Sequence, residues 1–149
     1  SGFDDNGLWR DRRHSTGGCS AGLLAAARMK AIALIAHDRC KQDMVSFARV
    51  HAATLRGQTL IATRTTGSLL EREVGLEIEC VLSGPEGGDL QIGAQIAEGN
   101  ISAVIFLRDV LTSQPHEPDI TALLRVCDVH NVPVATNLAT AELVLAGLR

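Results

Sequence analysis

One stretch constrains this chain more than any other. A β-type run from Ile78 to Leu82 leads into Ser83-Gly84-Pro85-Glu86-Gly87-Gly88-Asp89, and a helical pattern follows in which Ile92 and Ile96 lie one turn apart. A strand, a glycine-rich turn and a helix together form a receptor for an anion. The glycines let backbone N–H groups approach a ligand, and the helix start offers unpaired donors with a partial positive charge. Asp89 stands where that helix begins. Its plainest role is an N-cap, since Asp is among the best capping residues; a carboxylate beside an anion site also suits acid–base chemistry.

The rest of the chain repeats the theme. Ala31 to Ala36 is continuously apolar, as in a strand buried on both faces, and ends in His37-Asp38-Arg39-Cys40-Lys41. A helix carrying Met44, Phe47, Ala48, Val50 and Leu55 is expected to stop at Gly57. A second strand, 58–62, ends in Thr63-Arg64-Thr65-Thr66-Gly67, and a short helix is expected over 68–74. After the third strand and its helix to Gly99, a fourth strand, 103–107, ends in Arg108-Asp109. A polar loop with Pro115-His116-Glu117-Pro118-Asp119 precedes a helix over 120–130. A fifth strand, 132–135, ends in Thr136-Asn137, and a last helix covers 140–146. Strands alternating with helices predict an α/β fold: a single-domain, doubly wound, five-stranded parallel sheet with helices on both faces.

With 149 residues, 46% apolar and 21% charged, the chain fits one globular domain over 29–149. Residues 1–28 lack sustained periodicity and are expected to form a poorly ordered arm, with Met29 offering a native start. A net charge of −3 without a basic run argues against nucleic-acid binding, and 3% aromatics leave no base-stacking platform. Cys19, Cys40, Cys80 and Cys127 have neither C-x-x-C nor zinc-finger spacing and read as small hydrophobes in a reducing compartment. No signal peptide or membrane-length apolar run is evident, so a cytoplasmic protein without a membrane partner is expected.

The chemically capable side chains follow the carboxyl ends of the strands, where open α/β sheets bind ligands. They are His37, Asp38 and Lys41; Thr63, Thr65 and Thr66; Ser83, Gly84 and Asp89; Arg108, Asp109 and His116; and Thr136 and Asn137. Threonine hydroxyls, a Ser-Gly turn and a lysine at a helix mouth suit a phosphate dianion. Each also has a plainer reading. Thr65 and Thr66 can cap the next helix, Lys41 can be a solvated charge, His116 an idle loop residue and His37 a capping or core-edge histidine. The chain lacks a G-x-G-x-x-G dinucleotide fingerprint, a P-loop and a G-x-S-x-G elbow. What remains is general acid–base chemistry on a small phosphorylated substrate: a carboxylate removing a proton beside a carbonyl while histidines polarise the oxygens.

Five ordered motifs, beginning respectively at Ala36, Ala62, Leu82, Pro115 and Pro133, resemble those of the methylglyoxal synthase family over nearly all of residues 30–146. The resemblance implies a lyase that converts dihydroxyacetone phosphate into methylglyoxal and inorganic phosphate, with no metal and no organic cofactor. It implies Asp89 as the base, and His116 as the group that binds the carbonyl and hydroxyl oxygens and shuttles a proton. His37, Lys41, Thr63, Arg64, Thr65, Thr66, Ser83 and Gly84 are implied to hold substrate and phosphate, with Asp38, Asp109 and Asp119 in support. Inorganic phosphate is implied as product and inhibitor, and a homohexamer as the assembly. The alternative from another class is a non-catalytic phosphate- or metabolite-sensing domain of the same fold; an aldose–ketose isomerase is a second enzymatic rival.

Two features depart from the family pattern. Arg64 stands where glycine is usual, and a left-handed backbone there would strain it. The chain stops at Arg149, whereas many members continue in a tail that brings an arginine to a neighbouring subunit.

Overall fold

A computed structural model describes residues 30–148; the arm expected over 1–28, with Cys19, and Arg149 lie outside the described residues. Five strands form one sheet: β1 (Ala31–Ala36), β2 (Thr59–Thr63), β3 (Glu79–Val81), β4 (Ile101–Leu107) and β5 (Val134–Ala135). Every pairing is parallel and the strand order is β3-β2-β1-β4-β5. The order reverses between β1 and β4, which opens a crevice at their carboxyl ends. The helices are α1 (Lys41–Val50), α2 (Ala52–Arg56), α3 (Arg64–Val74), α4 (Gly88–Ala97), α5 (Glu117–Val129) and α6 (Leu138–Gly147).

The pleat sorts the apolar residues into two cores. Ile32, Leu34 and Ala36 of β1 face Met44, Val45 and Phe47 of α1, Leu70 of α3 and Leu145 of α6. Ala33 and Ile35 face Ile92 and Ile96 of α4 and Ile120 and Leu123 of α5. Helices therefore cover both faces, and the central strand is buried from Ile32 to Ala36, as its unbroken apolar run predicts. Each fully buried Ile or Leu contributes roughly 1.5–3 kcal/mol, so these layers hold the sheet edge on which the site stands. The register slips between Ala31–Ile101 and Ile32–Ala103, leaving Ser102 as an extra residue. That bulge keeps Ile101 and Val104, three residues apart, in the same core.

Several boundaries differ from the sequence expectation. The helix expected to run unbroken to Gly57 pauses at His51, which ends α1 and starts α2. The helix expected from Ser68 begins at Arg64, so Thr65 and Thr66 belong to its first turn rather than to a loop. Gly67 reads as a helix breaker, yet tertiary packing requires it: a Cβ there would collide with Cys80 Sγ and come within 3.3 Å of Ala62 Cβ. Arg64 is helical, and among the described residues the non-glycine residue with positive φ is Asn131, so the departure at 64 carries no backbone strain. β3 and β5 are shorter than their sequence runs.

Candidate active site

The crevice beyond β1 and β4 gathers the buried polar side chains. Among the described residues the polar or charged side chains that are buried are His37, Thr63, Thr66, Asp89 and His116. All five were singled out from sequence, and all follow carboxyl ends of strands.

Asp89 is the second residue of α4 and is 0% exposed. It is not the N-cap that its sequence position suggests. Gly87 takes that place with φ 109°, a conformation that favours glycine. Gly88 then lies so close to Leu82 that a Cβ would strike the Leu82 carbonyl oxygen. Neither Asp89 carboxyl oxygen has a hydrogen-bond partner. His116 Nε2 is 3.4 Å from Oδ2, near enough for attraction but not aligned as a hydrogen bond. Burial raises the Asp89 pKa, His116 opposes the rise, and Asp119 adds to it. Leaving an ionised carboxyl buried without a hydrogen bond costs several kcal/mol. Capping does not explain that cost, whereas a base that must meet a substrate does.

His37 closes the other side. Its N–H donates to Leu107 O at 3.1 Å, which anchors the residue across the junction of β1 and β4. The Asp109 N–H donates to His37 Nδ1 at 2.9 Å, so the proton of the neutral ring sits on Nε2. That Nε2 is buried without a partner. Burial lowers the His37 pKa, and the charges of His116 and Arg108 lower it further against Glu117 and Asp109. The result is a neutral imidazole whose free N–H is available to an oxygen. His37 and His116 lie edge to face with centroids 6.0 Å apart. His116 stands at the start of α5, and its Nδ1 is also buried and unpartnered.

Gly84 sits between base and histidine. A Cβ at this position would lie 2.8 Å from His116 Nε2 and 3.3 Å from Asp89 Oδ1. The surrounding turn is pinned by its own backbone, with Gly88 N–H on Ser83 O at 2.8 Å and Gly87 N–H on Gly84 O at 3.0 Å. Leu82 N–H donates to Gln91 Oε1 at 2.8 Å, fixing the turn to α4. The Ser83 hydroxyl donates to Glu86 at 2.9 Å.

The residues expected to hold phosphate converge on Ala36, the last residue of β1. Lys41 Nζ donates to Ala36 O at 2.8 Å and to Asp38 at 3.0 Å, with its side chain only 17% exposed, so it is not a solvated surface charge. The Thr66 hydroxyl accepts from Ala36 N–H at 3.3 Å and from the Thr63 hydroxyl at 3.4 Å. Thr65 is exposed at the start of α3, where the first-turn N–H groups have no intrahelical acceptor. Arg64, also exposed, donates its backbone N–H to Leu82 O at 3.4 Å, tying this helix to the Ser83 turn.

The acidic residues diverge. Asp109 holds His37 through its backbone, and its own pKa is lowered by a hydrogen bond from Thr112, then by the Leu111 N–H and by Arg39 and His37. Asp119 is half-buried in the first turn of α5, and its charge reaches Asp89. The Asp38 side chain is 99% exposed and touches the site only through Lys41. Arg108 is among the strand-end side chains read from sequence, but no role is assigned to it there, because a lone arginine after a strand looks like any surface charge. Its Nε is buried without a partner, and its charge bears on His37.

A cavity of about 580 Å³ opens at the opposite edge of the sheet, lined by Leu55, Arg56, Leu60 and Glu79 among others. The buried catalytic-type groups are not there, so the chemistry is placed by the side chains and not by cavity size. Among the described residues no cluster of three or more His, Cys, Asp or Glu is arranged to hold a metal ion, and no helix is long and apolar enough to cross a membrane.

Known proteins resemble this chain in sequence and in fold. A family model described as an MGS-like domain matches residues 43–136. The chain is 63% identical over 121 residues to the methylglyoxal synthase of Ralstonia nicotianae, covering 81% of this chain and 90% of that one. It is 67% identical over 117 residues to that of Cupriavidus taiwanensis, covering 78% and 88%. A crystal structure of the methylglyoxal synthase from Elizabethkingia anophelis matches with a TM-score of 0.75 and 47% identity, over 79% of this chain and 78% of that one.

Proposed function

This chain belongs to the methylglyoxal synthase family, and we infer from that premise that it converts dihydroxyacetone phosphate into methylglyoxal and inorganic phosphate. The observation that carries the assignment of the base is the Asp89 carboxyl, fully buried, without a hydrogen bond and 3.4 Å from His116.

The reaction follows from these groups. Phosphate docks on the first-turn N–H groups of α3, the Ser83-Gly84 turn and Lys41, which places the hydroxymethyl carbon toward Asp89. Asp89 takes a proton from that carbon, and the C–H electron pair becomes an enediolate. The His37 Nε2–H and His116 donate to the two oxygens as charge develops on them. His116 carries a proton between these oxygens, leaving the negative charge on the terminal one. That charge collapses to an aldehyde, a new C=C bond forms at the phosphate-bearing carbon, and the C–O bond breaks with its electron pair leaving on phosphate. The enol released takes up a proton on carbon to give methylglyoxal. An isomerase shares the enediolate but must keep the C–O bond in its plane. A synthase must turn that bond out of plane, and the phosphate grip beside the base sets this torsion.

Family resemblance further supports a homohexameric, cytoplasmic enzyme with phosphate as an inhibitor. Mass measurement in solution tests the assembly. An end-point assay tests the activity: purified protein is incubated with dihydroxyacetone phosphate, and methylglyoxal and phosphate are quantified against Asp89→Asn. Equal amounts of both from the wild type and neither from the variant are expected. Glyceraldehyde 3-phosphate would mean an isomerase. Phosphate binding without product would mean a sensing domain.

A further inference from the structure

We propose that Arg108 is a further substrate-contacting residue of this site: the cation that stabilises the oxyanion formed at the carbonyl end of the substrate, on the side of His37 away from the phosphate grip. The proposal rests on the reaction above, but it is carried by observations that reading does not use.

The first observation is placement. Sheet order sets β2 and β4 on opposite flanks of β1. Thr63 to Thr66 follow β2, His37 follows β1 and Arg108 follows β4. The phosphate grip and Arg108 therefore bracket His37, and a three-carbon substrate gripped at one flank presents its carbonyl end to the other. The second observation is an unmet donor. Arg108 is only partly exposed and its Nε is buried without a partner. Among the described residues no carboxylate forms an ion pair with it; its neighbour Asp109 is held by Arg39, Leu111 and Thr112 instead. A guanidinium stays charged at every working pH, and its planar fork matches an oxyanion. Leaving a buried donor unpaired is costly, and a bound oxyanion removes that cost.

The third observation is the company it keeps. Phe106, two residues before Arg108 in the pleat, packs edge to face on His37 with centroids 5.2 Å apart. The charged groups facing His37 are Arg108 and His116, which oppose its protonation, and Glu117 and Asp109, which favour it. Arg108 thus also helps keep His37 a neutral N–H donor. When Asp89 removes the proton, the C–H electron pair becomes a C=C bond and the carbonyl π pair moves onto the former carbonyl oxygen. The charge exists only from the transition state onward, so its partner acts on kcat more than on KM.

Three measurements on Arg108→Gln test this: steady-state kinetics with dihydroxyacetone phosphate, calorimetric binding of inorganic phosphate, and NMR titration of His37. The expected result is a kcat about 100-fold lower, with KM and phosphate Kd each within about threefold of wild type. The His37 midpoint should move upward. Arg108→Lys should recover part of kcat, and Arg108→Met replaces the Gln variant if the latter does not fold. A kcat within threefold of wild type, or an unmoved His37 midpoint, would overturn the proposal. So would a loss carried by KM together with weakened phosphate binding, which would assign Arg108 to the phosphate grip. Wild-type protein that makes no methylglyoxal would instead refute the proposed function, a result distinguishable from these.

Discussion

The Asp109 N–H donates to His37 Nδ1 at 2.9 Å across 72 residues of sequence, and this contact sets what the imidazole offers the site. With Nδ1 occupied as an acceptor, the neutral ring must carry its proton on Nε2, the atom that is buried and unpartnered. Because the contact uses the backbone of Asp109, any residue except proline at 109 preserves it.

His37 is expected to work as the neutral ring. Burial, then His116 and Arg108, place its pKa below 6.5. As far as His37 decides it, activity should therefore hold through pH 6.5 and fall as pH drops through the lowered native value. Between 6.5 and that native value the unfolded chain binds the proton and the native state does not, so acid destabilises the fold there before activity falls. His37→Gln should cost about 100-fold in kcat, the loss typical of one oxyanion donor. A kcat/KM profile that already declines at pH 7.5 would contradict the neutral ring.

Asp89→Asn should abolish turnover while phosphate affinity, measured by calorimetry, stays nearly intact. It should also stabilise the fold at neutral pH. The native pKa of Asp89 is raised, so its ionised form is penalised above that value, and the penalty disappears as pH falls toward 3.8. A gain of about 1–2 kcal/mol, or roughly 2–8 °C in Tm, is expected at pH 7.5 and should shrink in acid. An Asn variant less stable than wild type at neutral pH would show that the carboxylate has a partner in solution.

Gly84→Ala separates chemistry from folding. The new methyl would sit 2.8 Å from His116 Nε2 and 3.3 Å from Asp89 Oδ1, so the pair must move apart. Displacements of about 1 Å cost on the order of 100-fold in rate. Thermal unfolding should change by only a few degrees, since the backbone at 84 needs no left-handed conformation. Near-normal kcat in this variant would mean that Asp89 and His116 need not be adjacent for turnover.

Thr66→Ala should raise KM about tenfold and lower stability by about 1–2 kcal/mol, because the lost hydroxyl leaves Ala36 N–H without the 3.3 Å contact it makes in a buried setting. The two effects together distinguish this threonine from Thr65, which is exposed and whose alanine variant should keep wild-type stability. An unchanged KM in Thr66→Ala would remove it from the phosphate grip and leave it a clasp between β1 and α3.

Much of this protein is legible in its sequence, and the reason is local. The unbroken apolar run at 31–36 can only be satisfied by a strand covered on both faces, and the alternation of such runs with helical periods compels a parallel sheet. Loops at the carboxyl ends then must carry the ligand, which brings His37, Thr66, Asp89 and His116 to one edge before any coordinate is known. What the tertiary structure alone decided are relations between elements. Residue pattern holds no information on which strands become neighbours, so the crevice between β1 and β4 emerges only from the pairing. Propensity does not show that α3 starts at Arg64, because Gly67 is a breaker by propensity yet packs against Cys80 where a Cβ would collide. Asp89 has the sequence position of a cap, but Gly87 is the N-cap, which leaves the Asp89 carboxyl buried without a hydrogen bond and beside His116. Arg108 was indistinguishable from a solvated arginine. Its unmet donor and its position beside His37 exist only once β4 lies against β1.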